Sequence, residues 1–388
     1  MSALLTVFFK EVQDNVRDRR TVLSALGMAV LSPALFMGLM SFVLETTVSD
    51  AEKGITLPVV GMERAPNLMD FLRQNNVDPV KGPDNPDAAV ANRDHGVVLV
   101  VPEEFGDSLS AGTPAALRLI YDSSRTKDSE RDFRRVRTVL RAYNSTLASM
   151  RLQVRGISPA VVRPLAINVS NVASPSAQAV SILGVIPYFV IFSLFMGGFY
   201  LAIDTTAGER EQGSLEPLLA QPVSRAALAL GKLLATALFS AATLLLVLIA
   251  FSFAIDLVPL DKVGMSVEFG LSKVLRLFSV LWPMSLLAAA FMMVVASFTK
   301  SFKEAQTWLT MVILIPTLPL MMVMFLAPEA NAVTMAIPSF SQALIITEAI
   351  KGEWVSLPLT LLSMGCTLVV GILLALLAVR LYQREGVL

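Results

Sequence analysis

LLATALFSAATLLLVLIAFSFAI, residues 233–255, contains no Asp, Glu, Lys or Arg. A helix needs about 20 apolar residues to cross the hydrocarbon of a bilayer, so this run is long enough. In lipid the backbone must satisfy its own polar groups, which leaves a helix as the form the run can take. Five more charge-free runs accompany it, at 21–44, 179–203, 277–299, 305–328 and 354–379. The 388-residue chain is 54% hydrophobic and only 16% charged because these runs concentrate its charges elsewhere. The expected fold is therefore a polytopic α-helical membrane protein with six transmembrane helices, TM1 to TM6 in that order. A soluble enzyme is excluded.

Other classes fall with it. The single cysteine, Cys366, and the single histidine, His95, allow neither an intrachain disulfide nor a Cys/His metal cluster. Equal numbers of basic and acidic residues, 31 of each, give no nucleic-acid footprint. The first apolar run is too long for a cleavable signal and follows a charged lead, so it reads as a retained anchor. Six spans put both ends on one side. With the N-terminus inside, the inner segments carry eleven Lys and Arg and the short outer loops carry four, Lys262, Lys273, Arg276 and Lys351. That bias places both termini in the cytoplasm and the chain in the cell (inner) membrane.

Residues 45–177 are then an extracytoplasmic domain between spans 1 and 2. Ile55–Val60, Gly96–Val101 and Ala116–Tyr121 read as buried strands. Weakly amphipathic pieces near Met69–Asn76 and Glu103–Leu109 lie between them, and an extended stretch, Val161–Val172, leads into span 2. The mixture predicts an α+β domain. A long helix is expected over Asp128–Arg155. Its seam of Phe133, Val136, Leu140, Tyr143, Leu147, Met150 and Val154 repeats every three and four residues. That seam fits packing on the domain's own sheet, or a homodimer contact. The same helix carries Arg131, Arg134, Arg135, Arg137 and Arg141, which fit a solvated basic face or a site for anionic lipid headgroups or an anionic substrate.

Residues 1–20 read as an amphipathic interfacial helix, with Leu5, Phe8, Phe9, Val12 and Val16 at helical spacing. The cytoplasmic loop 204–232 is the most informative segment. Charges at Glu209, Arg210 and Glu211 precede a short amphipathic turn over Ser214–Leu219. Pro222 ends that turn, and Ser224 is placed to cap the helix that becomes span 3. A short capped helix held along the membrane suits docking. Residues 329–353 include Gln342–Ile350, apolar but too short to span, and residues 380–388 form a cytoplasmic tail.

The stretch Gly208–Lys232 closely resembles the cytoplasmic loop of ABC-2-type exporter permeases, in particular their sodium-exporter (NatB-like) branch. Gly208, Glu209, Arg210, Glu211, Gly213, Ser214, Leu215, Glu216, Leu218, Leu219, Pro222, Val223, Ser224, Arg225, Gly231 and Lys232 fill its pattern. Lys10-Glu11, Arg17–Thr21, Val100–Phe105 and Tyr121–Ser123 agree as well. The resemblance implies a coupling helix seated on a separate ABC ATPase subunit, with Glu209, Arg210, Glu211, Ser214, Leu215, Glu216, Leu219 and Arg225 as its loop residues. Glu209, Glu211 and Glu216 would touch the ATPase, and Arg210 and Arg225 would support the loop. It implies a re-entrant hairpin before the last span, a homodimer or heterodimer of permeases, and Na⁺ as cargo.

No GxxxxGK[ST] phosphate loop occurs, so ATP and Mg would bind the partner subunit and this chain would bind no cofactor. The charge-free runs argue against a proton relay and leave a hydrophobic drug, lipid or peptide as alternative cargo. Gly197 and Gly198 allow close helix approach, across a permease dimer or along a pathway that Tyr188 and Tyr200 would line. A non-transporting membrane scaffold or sensor that displays the outer domain is the reading from a different class.

Overall fold

The computed structural model describes residues 3–52, 54–92, 94–122, 127–162, 165, 170, 173–214, 217–218, 220–326 and 328–384. The chain forms two compact units, Thr47–Asn171 and the remainder. Helix α1, Ala3–Arg17, is followed by α2, Arg19–Glu52.

The smaller unit is built on β1 (Ile55–Val60), α3 (Pro66–Gln74), β2 (Val77–Lys81), α4 (Pro86–Ala91), β3 (Val97–Val100), α5 (Phe105–Ser110), β4 (Arg118–Tyr121) and α6 (Lys127–Val154). Its sheet has the order β2-β1-β3-β4. β1 runs parallel to both β2 and β3, with Ile55 opposite Val77 and Val59 opposite Leu99, and β4 closes the sheet antiparallel, with Val97 opposite Tyr121. The expected α and β elements thus form helical crossovers between parallel strands rather than separate layers. Strand β2 carries Pro79, which cannot donate to a ladder, and it occupies an edge where that costs little. The seam of α6 packs on this sheet. Val136 and Tyr143 are buried with Leu57, Leu72 and Leu99, and Phe133, Leu140 and Leu147 are partly covered. Met150 and Val154, at its end, are exposed. Most of the expected extended stretch 161–172 lies outside the described residues.

The larger unit continues with α7 (Pro175–Leu183), α8 (Ile186–Ile203), α9 (Arg225–Ala254), α10 (Leu271–Leu281), α11 (Pro283–Ser297), α12 (Phe302–Val312), α13 (Leu314–Leu326), α14 (Phe340–Lys351) and α15 (Leu357–Arg384). Among the described residues five helices are long and apolar enough to cross a membrane, within Ala29–Thr46, Ile186–Glu211, Arg225–Leu257, Phe302–Val323 and Leu357–Gln383. A sixth exists if α10 and α11, bent by 48°, count together. Pro283 explains the break: it has no N–H, and its ring crowds the carbonyl four residues back.

Helix α8 is buried on almost every side, against α9 and α11. Gly197 and Gly198 make that possible. A Cβ at Gly197 would stand 2.3 Å from Thr243 Oγ1, and one at Gly198 2.5 Å from Ser240 Oγ. Both glycines therefore serve close helix packing inside this chain. Helix α14, only 12 residues long, is nearly all buried. Ser339 starts it with φ +67°, and its amide donates to Gln342 Oε1 at 2.6 Å. Gln342 in turn donates to Ser363 Oγ at 3.2 Å and Thr367 Oγ1 at 2.8 Å on α15. This satisfied polar cluster pins α14 to the last helix, because an unpaired amide there would be costly.

Candidate functional site

Helix α8 does not stop at Ile203. Its end widens into a π turn over Asp204–Gly208 and continues through Glu209–Glu211. Thr205 and Thr206 donate their hydroxyls back to the carbonyls of Leu201 and Ala202, at 2.7 and 2.5 Å, which competes with the regular ladder. Gly213, with φ +67°, closes the turn. The Ser214 amide reaches the Glu209 carbonyl at 3.0 Å and the Gly213 amide that of Arg210 at 3.2 Å. These two bonds make a Schellman cap, and its left-handed position favours a residue without Cβ. Ser224 then caps α9 by accepting from the Ala227 amide at 3.2 Å.

Four side chains tie this loop to four helices. Lys232 on α9 is wholly buried. Its ammonium forms an ion pair with Glu209 and donates to the Thr205 carbonyl and the Tyr382 hydroxyl, each at 3.1 Å. Three acceptors match the three donors of a lysine, so the charge is compensated without water. Arg210 donates to the carbonyls of Thr299 and Ser297 at the end of α11, where helix carbonyls lack intrahelical partners. Glu211 accepts the Phe302 amide at 2.6 Å in the first turn of α12, where the helix dipole also favours a carboxylate. Arg225 donates to the Gln383 carbonyl at 2.7 Å near the end of α15.

Helix α1 packs beside this assembly. A Cβ at Gly231 would lie 2.8 Å from Val7 Cγ1, so the glycine sets how closely α1 approaches α9. The polar side of α1, with Glu11 and Asn15 buried, lines a polar pocket of about 210 Å³ together with Asp204, Glu209 and Gln212. Its apolar Leu5, Phe9 and Val16 are exposed. Burial lowers the affinity of Lys10 for its proton. The Glu11, Asp14 and Glu209 carboxylates outweigh it and hold the ammonium above the usual lysine range.

The structure brings Glu209, Arg210, Glu211, Ser214 and Arg225 together; Leu215, Glu216 and Leu219 lie outside the described residues. Glu209 is largely enclosed. Its side chain is only 13% exposed and turns inward to Lys232, which anchors the loop. Glu211 stays exposed while it holds α12. Tyr188 stacks on Phe192 at 5.8 Å, and Tyr200, with Met196, borders an apolar groove of about 710 Å³ formed with Leu23, Val30 and Leu31 of α2. In the smaller unit, Arg131 pairs with Asp132, Arg134 pairs with Glu130 and Arg137 stands 5.9 Å from the Phe133 ring centre. Arg135 and Arg141 lie on the same helix, half-buried and exposed.

The sequence pattern includes Lys232 and Glu11 without assigning either a task, and it does not single out Thr205 or Tyr382. A lysine at the border of a long apolar run was the available signal, since such a charge needs a partner when the helix is buried.

A family model described as ABC-2 family transporter protein matches residues 24–379. The ABC transporter permease protein NatB of Bacillus subtilis (strain 168) is 28% identical over 331 residues, 83% of each chain.

Proposed function

The chain belongs to the ABC-2 transporter family and is a multi-pass permease subunit, and on that premise we propose that loop 204–232 is the seat of a separate ATP-hydrolysing subunit. The observation that carries the reading is the fourfold tie of this loop to α9, α11, α12 and α15. A segment anchored in this way passes a push to several spans at once, whereas a loop held only at its ends would absorb it. The exposed Glu211, Gln212, Pro217 and Gln221 present the docking surface.

In this reading the chain crosses the inner membrane six times. The bent pair α10–α11 is the fourth span, and α14 is a re-entrant helix near the exit. Both termini and the loop are cytoplasmic, α1 lies in the interface, and residues 45–177 stand outside. Two permeases and two ATPase subunits form the transporter; ATP and Mg bind only the latter. Closure of the ATPases shifts the loop, the spans repack, and cargo leaves outward. The apolar groove beside Tyr200 supports a hydrophobic or amphipathic cargo over Na⁺.

Gentle purification from the native host with identification of co-purifying proteins tests the reading. A stoichiometric ATP-binding-cassette ATPase, lost when Gln212 and Gln221 are both changed to Arg, is the expected result. A permease that comes alone, with crosslinking as without, would overturn it in favour of a scaffold or sensor.

A further inference from the structure

In the smaller unit, α6 and the loop after α5 leave a groove of about 400 Å³, within the range of small-molecule sites. Its floor is part of the domain core left uncovered: Leu117, Leu140 and Leu147 pack on the buried cluster but remain partly open. At one end stand Arg151, in the last turn of α6, and Arg155, the residue just past its end. Arg151 is fixed, donating to the Leu109 carbonyl at 2.7 Å and the Gly112 carbonyl at 3.3 Å. Arg155 lies over Gly112, its Nη2 being 3.7 Å from where a Cβ there would sit, and it has no hydrogen-bond or ion-pair partner among the described residues.

Among the described residues no Asp or Glu lines the groove. Two guanidinium groups four residues apart repel one another. Arg131 and Arg134, near the start of α6, are answered by carboxylates of their own helix. The pair at the groove is instead left facing an apolar trough. Tyr143, buried at the floor, keeps its phenol protonated because burial pushes it up, so no negative charge opposes an anion there.

We propose that this groove binds a single-chain anionic amphiphile, with its carboxylate or phosphate head between Arg151 and Arg155 and its tail along Leu117, Leu140 and Leu147. A bidentate guanidinium suits either head. The site goes beyond the permease reading and needs no ATPase, so its test stands apart from that one.

The full chain in lipid nanodiscs is photolabelled with a diazirine-bearing decanoate, and the labelled peptides are mapped. Label in 105–117 and 140–155 is expected. Decanoate and decyl phosphate should displace it at least tenfold better than decanol. Displacement by added lysophosphatidylglycerol would assign the head to a single-chain membrane lipid, and its failure to displace would assign a free amphiphile; the chemistry is the same. Ala148→Trp, which fills the groove from an exposed position, should remove the label at this site. Arg155→Gln should leave it while abolishing the preference for anions. Label confined to the transmembrane helices, label unchanged by Ala148→Trp, or equal competition by decanol would overturn the proposal.

Discussion

Lys232 and Arg134 both belong to ion pairs, yet their surroundings make them different objects. Lys232 is 1% exposed and its partner Glu209 13%, whereas Arg134 and Glu130 are 74% and 55% exposed. Water screens the second pair and already solvates its members, so it contributes little. The first pair is largely withdrawn from water. Its two charges must compensate each other, and removing one leaves the other stranded. The loop edge of the larger unit thus uses charge as a fastener, while the helix α6 of the smaller unit wears charge on its surface. The same residue types carry a mechanical role in one place and mainly solubility in the other.

Substitutions can break that contrast. Lys232→Met should be the most damaging, with a loss of about 3–5 kcal/mol in unfolding of the detergent-solubilised chain. Adding Glu209→Gln should recover much of it, since both charges are then gone. A single variant as stable as the parent would erase the distinction drawn above. Arg210→Ala comes next, because it removes charge-assisted bonds to the Ser297 and Thr299 carbonyls. About 1.5–3 kcal/mol is expected, read as a lower midpoint in thermal unfolding. Gly197→Ala probes packing without charge. Its Cβ would enter the space of Thr243 Oγ1, and overpacking of this kind costs about 1–3 kcal/mol, visible as reduced recovery of monodisperse protein. Arg134→Ala should be almost silent, within about 0.5 kcal/mol in the same assay. A large effect there would show that α6 uses its charges structurally after all.

The sequence made the larger features readable for a plain reason. Charge-free runs and three-four apolar spacing depend on local composition, and so the apolar helices and α6 could be read directly. Other features depend on neighbours far along the chain. Strand β2 was not anticipated because Pro79 argues against a strand, and only its place at the sheet edge makes the proline tolerable. The break at Pro283 lay inside a run that reads as one span. In the loop, the residue types and the Ser224 cap were legible, whereas the direction of each side chain was not. Glu209 looks like a surface contact until Lys232, 23 positions later, and Tyr382, 150 positions after that, are brought against it. The apolar spacing of α1 is legible, yet nothing in it indicates that Glu11 and Asn15 are buried while Leu5, Phe9 and Val16 are exposed.

Hydrogen–deuterium exchange on the purified chain and its Lys232→Met variant measures most directly whether the loop and the last helix are fastened together. If Lys232 joins them, amides of 205–213 and of 379–383 should exchange at least tenfold faster together in the variant, while α14 and the middle of α9 stay protected. Faster exchange near residue 232 alone, with the loop and the end of α15 unchanged, would contradict the fastening on which the proposed coupling rests.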